Sequence, residues 1–463
     1  FTSIDAANSY ISTQRAQNYF GIISLDYKGK YLLDGMYRYD GSSLFGSEAR
    51  WNPYYRISGA YRLTEDVKIN GIDELKVRAA HGTAGIRPGF DWQYDKFTLT
   101  DGVASAEQQG NPRLKPSKTE ETEVGLNVNF LGKFYFEGTY ASSITTDQFL
   151  NIPKIPFLTP GGYNRQWQNA GSVKSNTIEM TLGADWVKTQ NLKWSSNIIY
   201  SRIRQKITEL PRAPYLFGND SFGDQYMFYV KANETYGAMY GNTWVRSLDE
   251  MAGQIPAGKS IGDYELNSEG YVIPKGKQGT SGELPVKKLN ADGSPWFGKI
   301  GDGNSDFNMG IANTLSLKGI TLYFLFDWKN GGDVYNGKEQ RLAFNYMSKR
   351  MDMSGVPADK KKAYDYWSSG MYGANDPNSY WVEDGSYLKL REVAVGYTFP
   401  SSIVNVFKGA VKGISAKVIG RNLLTVTNYS GYDPEVGSLR QPYDGIYMNP
   451  NYRNVAFSLS LDF

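Results

Sequence analysis

The sequence predicts an all-β fold: an antiparallel transmembrane β-barrel, of which this chain would hold about the last thirteen strands of about 22. Three observations predict it. The chain closes on a strand with one apolar and one polar face. It is polar overall yet rich in aromatic rings. Its connections sort by length, with tight turns alternating with long loops.

In the closing stretch, Val455, Phe457, Leu459, Leu461 and Phe463 fall on one face, and Asn454, Ala456, Ser458, Ser460 and Asp462 on the other. Side chains of a strand point alternately to opposite faces. A strand of about ten residues crosses a bilayer when tilted. The odd-numbered residues are expected to face lipid. Composition agrees. Tyr 35, Phe 22 and Trp 10 make 14% of a chain whose mean hydropathy is −0.48. Rings with one wet and one apolar end suit the membrane–water border. No run reaches the about 18 apolar residues of a membrane-crossing helix. The near-balanced charge of +3 carries no nucleic-acid footprint. The absence of cysteine excludes disulfides and thiol chemistry, and the single His81 excludes a two-histidine metal site. Phe1 is not expected to be a native start, and about nine strands are expected upstream.

Period-2 alternation places strands at 18–27, 30–40, 53–63, 73–84, 118–130, 133–143, 175–188, 192–203, 305–318, 320–329, 386–399, 412–424 and 453–463. The strand at 386–399 shifts phase, from Leu388 and Leu390 to Val393, Val395, Tyr397 and Phe399, which predicts a β-bulge near Arg391 or Glu392. Short connections fall at 28–29, 64–72, 131–132, 189–191, 318–319 and 400–411. Long ones fall at 41–52, 85–117, 144–174, 204–304, 330–385 and 425–452. Tight periplasmic turns and extended outer loops are how an outer-membrane barrel sorts its connections. With Phe463 on the periplasmic side, every short turn falls there. Tyr27, Tyr31, Phe130, Phe134, Trp186 and Trp194 flank short turns, while Tyr39, Tyr55, Tyr140, Tyr200 and Trp328 lie near long-loop ends, as two girdles would. His81 is expected in the lumen or at the rim.

Several stretches resemble a known family. Asp384-Gly-Ser-Tyr-Leu-Lys-Leu-Arg-Glu-Val-Ala-Val-Gly-Tyr-Thr-Phe-Pro400, Val418-Ile-Gly-Arg-Asn-Leu-Leu-Thr-Val-Thr-Asn-Tyr-Ser-Gly-Tyr-Asp-Pro-Glu435, Asn111-Pro-Arg-Leu-Lys-Pro116 with Thr119 to Leu126, and Gly301-Asp-Gly-Asn304 are similar to segments of SusC/RagA-type TonB-dependent outer-membrane transporters. The resemblance implies that residues 1–463 are the C-terminal portion of the barrel domain, in the outer membrane of a Gram-negative cell. It implies an N-terminal plug, energy delivered by a TonB complex, and a SusD-like surface lipoprotein that helps capture oligosaccharides or peptides. Plug and TonB-box residues have no counterpart in this chain, so no coupling residue is assigned.

Other constellations carry little. Asp302, Asn304 and Asp306 have calcium-loop spacing, but Phe307 and Asn313 stand where Gly and Glu are needed, so a loop-to-strand turn is the reading. Gly431-Tyr-Asp-Pro434 reads as a turn before it reads as a substrate contact. No phosphate loop, nucleophile elbow or zinc motif appears, so neither a catalytic site nor a cofactor is expected. The candidate substrate contacts are rings in the long loops: Trp167, Trp244, Trp296, Trp367 and Trp381. Flat rings stack on sugars and anchor peptides alike, although packing between loops or against a lid protein is the favoured reading for each. Segment 204–304, with Tyr226, Phe228, Tyr229, Tyr236 and Tyr240, is expected to dock the lipoprotein together with 330–385 and 425–452. A passive porin and a surface adhesin built of soluble β-sandwiches are the competing functions.

Overall fold

The computed structural model describes residues 11–219, 225–372, 377–445, 448–449 and 451–463. Thirteen strands form one sheet in strict chain order. We number them β1 (Ala16–Tyr27), β2 (Tyr31–Ser42), β3 (Trp51–Arg62), β4 (Ile72–Ile86), β5 (Ser117–Phe130), β6 (Phe134–Thr146), β7 (Ser172–Lys188), β8 (Leu192–Glu209), β9 (Ser305–Leu317), β10 (Ile320–Gly331), β11 (Tyr387–Thr398), β12 (Gly413–Thr427) and β13 (Asn454–Asp462). All thirteen alternating segments are strands of this sheet. Several run further than alternation indicates. In Arg204–Glu209 both faces are mostly polar, so period 2 carries no signal while the backbone ladder continues. Among the described residues no helix is long and apolar enough to cross a membrane.

The chain divides into two compact units, residues 1–132, 137–177 and 207–212, and residues 133–136, 178–206 and 213–463. In the first, β1 to β5 pair antiparallel with Leu25 opposite Leu33, Tyr31 opposite Tyr61, Ile57 opposite His81 and Val77 opposite Leu126. One exposed face therefore carries Tyr19, Ile23, Leu25, Leu33, Tyr37, Ile57, Val77 and Val124. The other carries Asp34, Arg56, Arg78 and Glu123. His81 lies on the apolar face close to its long-loop end, hydrogen-bonded to the Tyr55 hydroxyl at 3.1 Å and to Thr122 Oγ1 at 2.9 Å. It is therefore not on the polar face, where the lumen alternative would put it.

In the second unit, Leu322, Val395, Val418 and Phe457 line up across β10 to β13 as an apolar row. The phase shift in β11 is absorbed as expected. Phe326 faces Leu390 and Leu325 faces Glu392, which leaves Arg391 as the extra, bulged residue. Leu388 and Leu390 thus stay on the same face as Val393 and Val395.

Three short turns share one geometry. Lys28–Gly29 (φ 56° and 66°), Leu131–Gly132 (55° and 59°) and Lys318–Gly319 (47° and 90°) each place two residues in the left-handed region. Such turns match the twist of the strands they join. Connection 399–412 is longer than connection 43–50, so the sorting by length is not strict; a helix at Ser401–Val404 fills the longer one. Rings cluster at strand ends: Tyr27–Tyr31 at 6.5 Å and Tyr31–Tyr61 at 5.0 Å beside short turns, Tyr39–Trp51 at 5.3 Å near long loops. In the second unit Trp186–Trp194 at 5.9 Å and Phe307–Trp328 at 4.9 Å repeat the pattern.

The long loops are structured, which alternation does not reveal. Strands Lys96–Thr100, Val103–Gln109, Arg165–Asn169 and Phe149–Pro153 form a four-stranded sheet in the first unit. Strands Tyr215–Asn219, Gln225–Val230, Ala238–Gly241 and Gly298–Asp302 form another in the second.

Candidate functional site: the polar face and the long-loop body

On the polar face of the first unit several charges are paired. Arg56 pairs with Asp34, which also accepts a 2.8 Å hydrogen bond from Ser24. Arg78 pairs with Glu123, lies 2.7 Å from Glu137, and donates to Asn127 at 3.2 Å and to Thr139 at 2.5 Å. A recess of about 610 Å³ lies along Ser24, Asp26, Asp34, Arg56, Arg78 and Glu123. Neutralised, hydrogen-bonded charges opposite an apolar face suit strands with water on one side and lipid on the other.

In the second unit three long loops fold into one body. Met227, Phe228, Met239, Trp244 and Tyr271 from 204–304 share a buried core with Tyr335, Tyr366, Trp367, Met371 and Trp381 from 330–385. Tyr443 packs against it from 425–452. Backbone bonds tie the same loops: Asn336 N–H donates to Trp381 O at 2.7 Å, Ser379 N–H to Asn242 O at 3.0 Å, and Tyr335 N–H to Pro442 O at 2.9 Å. Buried charges are matched. Lys362 pairs with Glu283, whose carboxylate also accepts from Asn267 Nδ2 at 2.9 Å and Gly279 N–H at 2.6 Å. Burial pushes the Tyr366 hydroxyl well above its ordinary pKa, keeping it a neutral donor to Glu269 at 2.8 Å. Such fully partnered buried groups are costly to disturb.

Two of the resembling motifs meet. The bulge puts Arg391 and Glu392 side by side on the polar face, next to Lys389. Lys389 Nζ lies 2.6 Å from Asp433 and 3.0 Å from Glu435. Arg391 lies 2.5 Å from Asp327 and 2.7 Å from Glu435. Asp433 also accepts the Glu435 backbone N–H at 2.9 Å, so the chain bends after Gly431–Pro434 and this stretch serves as a latch. Loop 425–452 is thereby fastened to β10 and β11. Burial opposes ionisation of Asp433 and Glu435, but hydrogen bonds from Lys389 and Arg391 outweigh it and hold both carboxyls below the ordinary range.

The five candidate tryptophans are not together. Trp244, Trp367 and Trp381 are 2%, 3% and 0% exposed inside the loop core, where Trp381 Nε1 donates to Met371 O at 2.9 Å. They join loops; their faces are not open to a solute. Trp296 is half-buried, with Lys288 Nζ 5.7 Å from its ring. Trp167, in the first unit, is half-buried and stacked on Trp92 at 3.7 Å. The side chain of Tyr226 lies outside the described residues. Asp302 accepts from Asn304 N–H at 3.0 Å and pairs with Lys299 at 2.7 Å, so the expected loop-to-strand turn is a tight link between strand Gly298–Asp302 and β9. The latch escaped the sequence reading, although alternation alone sets Lys389 and Arg391 opposite Leu388 and Leu390. Nothing in the loops' sequence pairs Lys362 with Glu283.

Residues 1–272 match the TonB dependent receptor-like β-barrel family. A TonB-dependent receptor of Formosa agariphila is 28% identical over 96% of this chain and 46% of its own length. The TonB-dependent receptor SusC of Bacteroides thetaiotaomicron is 24% identical over 98% of this chain and 44% of its own. The chain spans about half the length of these relatives. Among solved structures the RagAB peptide importer matches 97% of the chain and 48% of its own, with a TM-score of 0.73 at 19% identity, which shows the fold. The ordered strands, the apolar and polar faces and this family match agree: the chain belongs to the TonB dependent receptor-like β-barrel family, with the TonB-dependent receptor SusC among its relatives.

Proposed function

We propose that this chain is part of an outer-membrane active transporter that imports large nutrients, oligosaccharides or peptides, with TonB-derived energy and a SusD-like surface lipoprotein. One observation carries the reading. The three longest loops of the second unit fold at the long-loop end of their strands into a body with its own core and buried ion pairs. Simple connections need no such core, whereas a docking surface does. Its outer side offers Tyr346 and Met347, 69% and 73% exposed, with Tyr346 in the left-handed region at φ 61°. Strained, exposed aromatic positions of this kind favour recognition. Of the candidate rings, Trp167 and Trp296 retain open surface for a solute.

Uptake by cells carrying the full-length protein tests the activity. It should vanish when the TonB system is removed; uptake that persists unchanged identifies a passive pore. Deleting 204–304 would strip Met239, Trp244 and Tyr271 from the shared core and unfold its neighbours, so point substitutions test docking better. Tyr346→Glu with Met347→Glu should abolish co-purification of the lipoprotein while leaving the barrel folded. Full retention of the partner would remove this face from the interface.

A further inference from the structure

Connection 400–411 stands apart from the other short turns of the second unit. Helix Ser401–Val404 runs into a 3-10 turn at Asn405–Phe407 and ends at Lys408, with φ 49°. Val404 and Val411 are 6% and 7% exposed and fix the segment to the protein, while Ile403, Val406 and Phe407 are 45%, 73% and 47% exposed. The backbone is tied down on both sides: Phe399 N–H donates to Ile414 O at 3.0 Å and Lys412 N–H to Asp462 O at 2.6 Å. So this is a rigid element holding three large apolar side chains outward, an arrangement water disfavours.

What lies beside it suggests the occupant. Tyr397, Ile320 and Leu317 are exposed, and Ile320 sits directly opposite both Leu317 and Tyr397. Tyr397 and Phe399 touch edge to face at 5.0 Å. The apolar face of the strands therefore runs through Phe399 to within two residues of the helix. Lys318 and Lys408, both exposed, lie at the same end of the strands. Apolar residues at i, i+3 and i+4 with lysine beside them are the pattern of a segment lying in a membrane interface.

We propose that 400–411 is an interfacial foot: Ile403, Val406 and Phe407 enter the acyl boundary of the leaflet at the short-turn end, and Lys408 and Lys318 meet lipid phosphates. The proposal rests on the outer-membrane reading above. It gives the strands a fixed depth in the bilayer at that end.

The chain has no cysteine, so nitroxide labels at Val406→Cys, Asn405→Cys and Phe457→Cys, one at a time in the full chain in phosphatidylglycerol-containing vesicles, test it. Oxygen should reach the label at 406 several-fold more than that at 405, and a water-soluble nickel chelate several-fold less. Nickel reaching 406 as readily as 405, with 457 still reached by oxygen, overturns the foot and leaves the membrane reading intact. Exclusion of both reagents from 406 overturns it too, because protein then covers the site. Nickel at both 406 and 457 removes the membrane reading and the foot with it.

Discussion

Lys389 is a cation that water barely reaches, 2% exposed, and it is held by two carboxylates more than forty residues away in sequence. Removing one partner of a buried pair leaves an uncompensated charge, at a cost of about 3–5 kcal/mol. Lys389→Met should therefore free loop 425–452 without unpairing β11, seen as lost hydrogen-exchange protection confined to that loop. Protection of both loop and strand lost together would show that the latch supports the sheet itself. Acid should act on the same contact. Asp433 and Glu435 titrate below their ordinary values of 3.8 and 4.5 in the folded chain. Depressed carboxyls contribute stability that is complete above the ordinary values and is lost as pH falls through the depressed ones. The loop's protection should thus be level from neutral pH down to about 5 and decline below about 4. A decline already under way between pH 7 and 6 would exclude these carboxylates as its cause.

At the scale of elements, one-sided strands and tight turns make separate demands. Phe457 lies in the apolar row of β13, while Ser458 lies on the other face opposite Lys417. Phe457→Arg near the bilayer midplane should cost about 2–4 kcal/mol, against little for Ser458→Arg. Equal losses in reversible unfolding from lipid vesicles would contradict the facing. In the turn after β9, Gly319 has φ +90°, and a Cβ there would lie 2.9 Å from Thr398 O. Gly319→Ala should destabilise by about 1–2 kcal/mol, measured the same way; no loss would mean the turn can change its type.

For the whole molecule the open matter is which strand ends face outward. Turn 64–72 lies at the short-turn end and the 330–385 loop at the long-loop end of their strands. On intact cells an impermeant maleimide should label Met347→Cys and leave Asn70→Cys untouched. The reverse pattern would invert the assigned orientation. Externally added trypsin should cut at exposed Lys360 or Lys361 in preference to the interior of 204–304, whose Met239 and Trp244 are buried.

All thirteen sheet strands, their order and the β11 bulge were legible in the amino-acid sequence. Each strand has two chemically different faces, and alternation is a local property that survives without knowledge of any partner. Tight turns were legible for the same reason, through Lys28–Gly29 and Lys318–Gly319. The loops were not. Whether Trp244, Trp367 and Trp381 bind or pack was not legible, because nothing local distinguishes a ring that packs from one that binds; burial depends on which distant segment arrives. Tertiary structure alone brought Glu283 to Lys362 and Asp433 to Lys389, since ion pairs between irregular segments follow no period. It also turned the short connection 400–411 into a segment with a helical turn and three exposed apolar side chains, because the exposure of Val406 is set by what Val404 and Val411 pack against.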